Sequence, residues 1–169
     1  MLSAAIEKLA TEVLAQARRA GVMVVTAESC TGGLVAGALT AIAGSSDVVD
    51  RGFVTYSNEA KREMLGVPRA VLDAHGAVSA QTARAMAEGA LSGSRAGVAV
   101  SITGIAGPGG GSVEKPVGLV HFGLARRGAA TITVEKRFGD IGRDKVRAES
   151  VLVALGLLRD GAISANNDV

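Results

Sequence analysis

Three short apolar segments, each ending in a loop of small or polar residues, constrain the fold of this chain more than any other feature. They are Val22–Thr26, Phe53–Tyr56 and Val98–Ile102. Short apolar runs are typical of strands that are buried within a sheet. The segments between them carry serine caps and apolar residues at helical spacing. This alternation predicts an α/β fold, specifically a three-layer α/β/α sandwich with a mixed, mostly parallel sheet.

Two further apolar segments, Leu119–Ala125 and Ala130–Phe138, are separated by a turn that is too short for a crossover. They are therefore predicted to form one antiparallel hairpin within the sheet. The 169 residues fit one domain, which we expect to span residues 1–169 with an ordered core over about 4–160. Residues 164–169 are predicted to be a frayed polar tail.

The composition disfavours metal and cofactor sites. A single cysteine, Cys30, excludes a disulfide within the chain and a thiolate-rich zinc or iron–sulfur site. The two histidines, His75 and His121, are far apart in the sequence, so we do not expect a histidine metal cluster. A metal site of either kind is therefore not expected, and no cofactor is expected.

Charge and aromatic content argue against a nucleic-acid partner. A net charge of +2 is too small to supply the concentrated positive charge that duplex binding uses. One tyrosine and three phenylalanines are too few for a base-stacking platform.

No apolar run reaches the roughly 20 residues of a membrane span, and the N-terminus lacks the features of a signal peptide. We therefore expect a cytoplasmic protein that binds no membrane. The apolar composition favours a homo-oligomer.

Ser29 follows the first predicted strand and precedes a helix. Ligands of open α/β sheets bind at the carboxyl ends of strands, so we expect the three strand ends to share one cleft. The first free N–H groups at the start of the helix, near Cys30 to Gly32, would then form an oxyanion site near Ser29. Gly32 and Gly33 would let a ligand approach the backbone. Two alternatives stay open: Ser29 or Thr31 as an ordinary helix N-cap, and Cys30 as the nucleophile.

Lys61 lies in the first turns of the helix that follows the second strand end. A desolvated lysine can lose its proton near neutral pH and serve as the base that a serine nucleophile needs. Tyr56, the only tyrosine, lies at the same strand end and could relay a proton. The alternatives are a solvated lysine paired with Glu59 or Glu63, and a core tyrosine whose hydroxyl reaches the surface.

The third strand end opens into a loop, Gly104–Pro116, with five glycines between residues 104 and 111. Backbone amides of such a loop can cradle a phosphate or another anion. The loop matches neither a Walker A motif nor a GxGxxG motif that opens a helix, and a flexible surface loop is the alternative. Arg143 and Arg147 lie four residues apart on the last predicted helix, where they could hold a phosphate or form a solvated face.

In combination these segments resemble the C-terminal domain of the CinA family, over nearly the whole chain from about Ala4 to Leu158. Two residues more than in the usual family pattern separate Asp140 from Arg143, so the choice between Arg143 and Arg147 stays open. Larger CinA proteins also have an N-terminal domain that resembles molybdopterin-binding proteins, and we expect none of its activity here. The resemblance rests on Thr26–Gly33, Tyr56–Lys61, Leu65–Val67, Gly76–Ser79, Thr103–Gly110 and Lys115–Gly118.

The resemblance implies a serine amidohydrolase that releases ammonia from the carboxamide of nicotinamide mononucleotide and leaves nicotinate mononucleotide. It implies Ser29 as the nucleophile, Lys61 as its base and Tyr56 as an assisting residue, with no metal. The expected partner is a small-molecule mononucleotide. Its binding residues are predicted to be Cys30, Thr31, Gly32, Gly33, Thr103, Gly104, Gly107, Gly109, Gly110 and Arg143.

Two other functions remain compatible with the sequence. A non-catalytic nucleotide-binding or regulatory module would use the same anion-binding loops without a nucleophile. An amidase for another carboxamide would use the same serine and lysine, because the sequence does not reveal what fills the pocket.

Overall fold

A five-stranded sheet forms the centre of the computed structural model, which describes residues 2–168. The strand order is β2-β1-β3-β4-β5. The first strand pairs in parallel with its two neighbours, whereas β4 is antiparallel to both β3 and β5. Only β4 therefore runs against the others, and the predicted mixed sheet with one hairpin is confirmed. The strands are β1 (Val24–Glu28), β2 (Val49–Val54), β3 (Val98–Gly104), β4 (Leu119–Arg126) and β5 (Ile132–Arg137).

Helices cover both faces of this sheet and complete the predicted α/β/α sandwich. One core cluster joins the sheet to α1, α2 and α6, and the other joins it to α3, α4 and α5. None of these helices is both long and apolar enough to cross a bilayer within the described chain. The helices are α1 (Ala4–Ala20), α2 (Leu34–Thr40), α3 (Asn58–Leu65), α4 (Arg69–His75), α5 (Ala80–Ser92) and α6 (Arg143–Asn167), with a short 3-10 helix at Ser45–Asp47.

The two cores divide the central strands residue by residue. Val24 belongs to the cluster under α1 and α6, whereas Val25 belongs to the cluster under α5. In β3, Val98 likewise belongs to the cluster under α1 and α6, and Ala99 to the cluster under α5. Successive side chains of a strand point to opposite faces, so a strand between two helix layers is apolar throughout. This is why β1 and β3 were visible in the sequence as continuous apolar runs.

Serine caps fix where the helices begin. Ser3, Ser57 and Ser79 each accept a hydrogen bond from the backbone N–H three residues later, at 3.3, 3.0 and 3.1 Å. The sequence predicts caps at Ser3 and Ser79, and a third at either Ser57 or Asn58, of which the structure has Ser57. At the other end of α3, Gly66 adopts the left-handed conformation that stops the helix. Together Ser57 and Gly66 place Lys61 in the middle of a helix of only eight residues.

Several boundaries differ from the prediction. The first strand begins at Val24, because the Val22 N–H still bonds to the Ala17 carbonyl of α1. The second strand spans Val49–Val54 rather than Phe53–Tyr56. The prediction missed its first half because β2 is an edge strand that contains polar residues and therefore lacks a continuous apolar run. The predicted frayed tail is wrong for 164–167, since α6 continues through Asn167 and its later turns bury Ala162 against the core.

Candidate active site

A cavity of about 280 Å³ lies at the carboxyl ends of β1 and β3, beside the segment that follows β2. Residues from all three strand ends line it, which confirms that they share one cleft. Its volume is near the lower end of the range for small-molecule sites, about 300–1,000 Å³. The lining residues are Ser29, Cys30, Tyr56, Lys61, Ala77, Val78, Thr103, Gly104, Ile105, Ala106, Gly107, Gly109, Gly110 and Arg143.

Ser29 and Lys61 form the central contact of this cavity. The Lys61 Nζ lies 3.0 Å from the Ser29 Oγ, although 32 residues separate the two in sequence. The Ser29 N–H bonds to the Ile102 carbonyl at 2.9 Å, so the end of β3 holds the serine in place. A hydroxyl within hydrogen-bond reach of an amine is the geometry that an activated serine nucleophile requires.

Lys61 is buried without a neutralising partner. Its side chain is 1% exposed, and it forms no ion pair with any described residue. The Nζ also contacts the carbonyl oxygens of Thr55 at 2.8 Å and Tyr56 at 3.4 Å. Burial lowers the pKa of Lys61 below its ordinary value of 10.5. A neutral amine could donate to the two carbonyls and direct its lone pair toward the Ser29 hydroxyl.

Glu28 occupies two N–H groups in the first turn of α2. Its fully buried carboxylate accepts hydrogen bonds from the N–H groups of Val35 at 2.9 Å and Ala36 at 3.0 Å. The Gly32 N–H is also used, because it bonds to the Ser29 carbonyl at 3.0 Å. Of the N–H groups near Cys30 to Gly32 that were expected to form the oxyanion site, the Gly32 N–H is therefore unavailable.

Cys30 is the residue of this turn whose backbone N–H can still serve a ligand. It lines the cavity with Ser29, and its N–H donates to no acceptor within residues 2–168. Thr31, by contrast, is fully buried. In α/β-hydrolases the N–H directly after the nucleophile serves as an oxyanion donor. As a nucleophile Cys30 is disfavoured, because burial raises the pKa of its thiol to about 11.

Thr31, Gly32 and Gly33 are not brought into the wall of the cavity. Both glycines have positive φ angles, +59° and +97°, so they turn the chain from β1 into α2. The open side of Gly32 faces the guanidinium of Arg147, and that of Gly33 faces Val54. The three residues shape the turn that carries Ser29, and the prediction that they contact substrate gains no support.

Replacing Glu28 with glutamine should lower the melting temperature without changing which residues line the cavity. The glutamine carbonyl can accept one of the two N–H bonds, and its amide group would face the other donor. A buried donor left without an acceptor costs about 1–3 kcal/mol, and each kcal/mol shifts the melting temperature by roughly 2–4 °C at this size.

Thermal unfolding of Glu28→Gln checks this expectation, with Glu59→Gln as the matched control. Glu59 is an exposed residue in the first turn of α3, so its substitution should change the stability by less than about 0.5 kcal/mol. Equal melting temperatures for the two variants would contradict the capping role of Glu28.

Arg143 lies at the mouth of the cavity. Its guanidinium donates to the Gly107 carbonyl at 2.9 Å and to the Tyr56 hydroxyl at 3.2 Å. Arg147 lies outside the lining and instead donates to the carbonyls of Cys30 and Thr31. Of the two arginines that the sequence left open, Arg143 is therefore the one placed to meet a ligand.

Tyr56 shares the cavity with Ser29, but its two polar ends point to different partners. Its backbone carbonyl accepts from Lys61, whereas its hydroxyl accepts from Arg143. No hydrogen bond joins the hydroxyl to Ser29 or Lys61 among the described residues. The ring is 62% exposed. A proton relay through Tyr56 stays a prediction, and the geometry is better suited to contact with a ligand.

The comparison with protein families shows to which family the chain belongs. The model of the CinA C-terminal domain matches residues 6–161. The chain belongs to the CinA C-terminal domain family. This result agrees with the resemblance that the sequence motifs carried.

Relatives within the CinA family differ in length and in name. A protein named nicotinamide-nucleotide amidohydrolase PncC, from Enterobacter agglomerans, is 50% identical over 89% of this chain and 91% of its own length. A putative competence-damage inducible protein from Caldicellulosiruptor bescii is 56% identical over 79% of this chain, but the match spans only 32% of that relative. Among solved structures, the competence/damage inducible protein CihA from Agrobacterium tumefaciens matches with a TM-score of 0.93 and 57% identity, over 98% of both chains.

The loop Gly104–Pro116 of this CinA domain contributes its first half to the cavity. Thr103, Gly104, Gly107, Gly109 and Gly110 line the wall as predicted. Two of these glycines have different roles. A Cβ on Gly104 would lie 2.8 Å from the Leu119 carbonyl, whereas a Cβ on Gly109 would meet nothing within 4 Å. Gly104 therefore permits close packing of the sheet, and Gly109 leaves backbone open to a ligand.

Some cavity residues had no predicted role. Ala77 and Val78 line the wall, and the Thr103 hydroxyl donates to the Ala77 carbonyl at 2.7 Å. They lie in the segment Gly76–Ser79, which was noted only as part of the family pattern. Glu28 was likewise noted without a role. A carboxylate four residues before the predicted start of the helix was the available signal for its capping function.

Proposed function

We propose that this CinA domain hydrolyses the carboxamide of nicotinamide mononucleotide to nicotinate mononucleotide and ammonia. The observation that carries the proposal is the 3.0 Å contact between the Ser29 Oγ and the buried, unpaired Lys61 Nζ. The substrate comes from the Enterobacter agglomerans relative named as a nicotinamide-nucleotide amidohydrolase, which matches over most of both chains.

The reaction begins with neutral Lys61. Its lone pair takes the proton of the Ser29 hydroxyl while the Oγ attacks the carboxamide carbon. The Cys30 N–H donates to the oxygen that becomes negatively charged. The protonated Lys61 then gives its proton to the leaving nitrogen, and the C–N bond breaks to release ammonia. Water, deprotonated by Lys61, hydrolyses the resulting ester of Ser29 and releases the carboxylate.

The phosphate of the substrate would lie at the mouth of the cavity. Arg143 supplies positive charge there, and it already donates to Gly107 and Tyr56. The amides of Gly109 and Gly110 border the same space. An arginine beside a glycine-rich loop combines a bidentate cation with backbone donors, which is a common phosphate-binding arrangement. Tyr56 contributes an exposed ring at this end of the cavity, against which the nucleotide can pack.

An ammonia-release assay over a panel of carboxamides tests the proposal. The panel contains nicotinamide mononucleotide, free nicotinamide, nicotinamide riboside and glutamine. We expect turnover of the mononucleotide far above the others, because only it carries the phosphate for Arg143. Preference for another carboxamide would identify a different amidase, and binding of the mononucleotide without ammonia release would support a non-catalytic module.

A cytoplasmic location and assembly into a homo-oligomer are also proposed, from the sequence alone. We also propose that residues 1–169 form a single domain, which one continuous sheet supports. Sedimentation analysis of the purified chain tests the oligomeric state.

A further inference from the structure

Arg147 holds the turn that carries the nucleophile. Its Nε lies 3.2 Å from the Cys30 carbonyl oxygen, and its Nη2 lies 3.3 Å from that of Thr31. Two donors of one planar guanidinium therefore hydrogen-bond to the carbonyls of two successive peptide groups. The Nη2 also lies 3.5 Å from the position of a Cβ on Gly32, so the guanidinium lies against a residue without a side chain. The contact joins α6 to a turn more than 100 residues earlier in the chain.

These contacts bear on the Cys30 N–H, which donates to no other residue within 2–168 and belongs to a residue that lines the cavity. In a trans peptide, the N–H of a residue points away from the carbonyl of the residue before it. The Ser29 carbonyl is held by the Gly32 N–H at 3.0 Å, which orients the Cys30 N–H on the opposite side of that peptide. Arg147 holds the next two carbonyls. Every peptide group around Cys30 is thus fixed by a hydrogen bond, while the Cys30 N–H itself is left for a ligand.

We propose that Arg147 is a positioning residue for the oxyanion site, aligning the Cys30 N–H by fixing the carbonyls of Cys30 and Thr31. This inference rests on the proposed Ser29 mechanism. Arg147 lies outside the lining of the cavity, so it acts through the turn and not on the substrate. It also forms no ion pair within residues 2–168, which leaves its charge directed at the two carbonyls. A cation at these oxygens polarises the peptide groups of the turn as well as orienting them.

The experiment compares Arg147→Ala and Arg147→Lys with the wild-type chain by two measurements. The first is kcat and KM for ammonia release from nicotinamide mononucleotide. The second is the rate at which a fluorophosphonate probe labels Ser29, which needs the nucleophile and the oxyanion donor but no nicotinamide. We expect kcat and the labelling rate to fall about tenfold or more in Arg147→Ala, with KM changed by less than about threefold. Arg147→Lys should recover part of both rates, because an ammonium keeps the charge but not the two-pronged contact.

The matched control is Arg159→Lys, another arginine of α6, whose guanidinium bonds to Glu12 of α1 at 3.0 Å. It should leave both rates unchanged, which separates the turn contact from general loosening of the helix. Wild-type rates in a folded Arg147→Ala or Arg147→Lys variant would overturn the inference, as would a rise in KM with unchanged kcat. A wild-type chain that is labelled at Ser29 but releases no ammonia would contradict the proposed substrate, and the labelling rates would still decide the role of Arg147.

Discussion

The Ser29→Ala variant should lose ammonia release from nicotinamide mononucleotide by a factor of about a thousand or more. Removing a nucleophile eliminates the covalent route, and only binding and the oxyanion donor remain to accelerate the reaction. The substitution deletes one hydroxyl that contacts Lys61 and leaves the bonds from Lys61 to the carbonyls of Thr55 and Tyr56 in place. The fold should therefore persist, with a melting temperature within a few degrees of the wild type.

Initial rates of ammonia release, measured beside thermal unfolding, check this result. Ser94→Ala serves as the control, because the Ser94 hydroxyl bonds only to nearby backbone groups, the Leu91 carbonyl and the Ala96 N–H, outside the lining of the cavity. The control should retain the wild-type rate. A Ser29→Ala variant with undiminished activity would rule out the serine mechanism and return attention to Cys30.

Lys61→Met should reduce kcat by a factor on the order of 10²–10⁴, the usual contribution of a general base. Methionine has a similar length and suits a buried position, but it has no lone pair to accept the Ser29 proton. The Lys61 side chain is 1% exposed, so water cannot readily replace its amine. Lys61→Arg is the companion variant. It keeps a cation near Ser29 but stays protonated, so it should be comparably impaired.

The pH dependence gives an independent test of the same residue. Burial lowers the pKa of Lys61 from its ordinary 10.5, and only the neutral amine can act as base. Activity should therefore rise with pH as Lys61 loses its proton, with a midpoint below 10.5. The residual activity of Lys61→Met should lack this rise. Wild-type activity that falls through the same pH range would contradict a basic Lys61.

The positions of Ser29 and Lys61 could be predicted from the sequence because local signals fix both. An apolar strand followed by small residues placed Ser29 at a strand end, and the caps Ser57 and Gly66 bounded the helix of Lys61. The rule that parallel strands present their carboxyl ends on one edge then brought the two together. Their 3.0 Å contact depends on side-chain directions that only the three-dimensional structure reveals.

The roles of Glu28 and Arg147 could not be predicted in the same way. Glu28 lies in β1, where a carboxylate normally indicates a surface position, yet it is fully buried, with its carboxylate bonded to N–H groups in the first turn of α2. The pairing of Arg147 with the turn depends on how α6 crosses the sheet, which the spacing of residues within a helix does not specify. The edge strand β2 was misplaced for a related reason, since only one of its sides is paired.

The direction of β4 separates the chemistry from a part of the molecule that is available for engineering. Because β4 runs against β3, with Val98 opposite Arg126, the hairpin turn lies at the edge of the sheet away from the cavity. Seven residues of β3 at about 3.3 Å each put roughly 20 Å between the two edges. Gly128 in that turn has no atom within 4 Å of its open side. A fluorophore, an affinity tag or a fused binding domain attached there would leave the approach to Ser29 unobstructed.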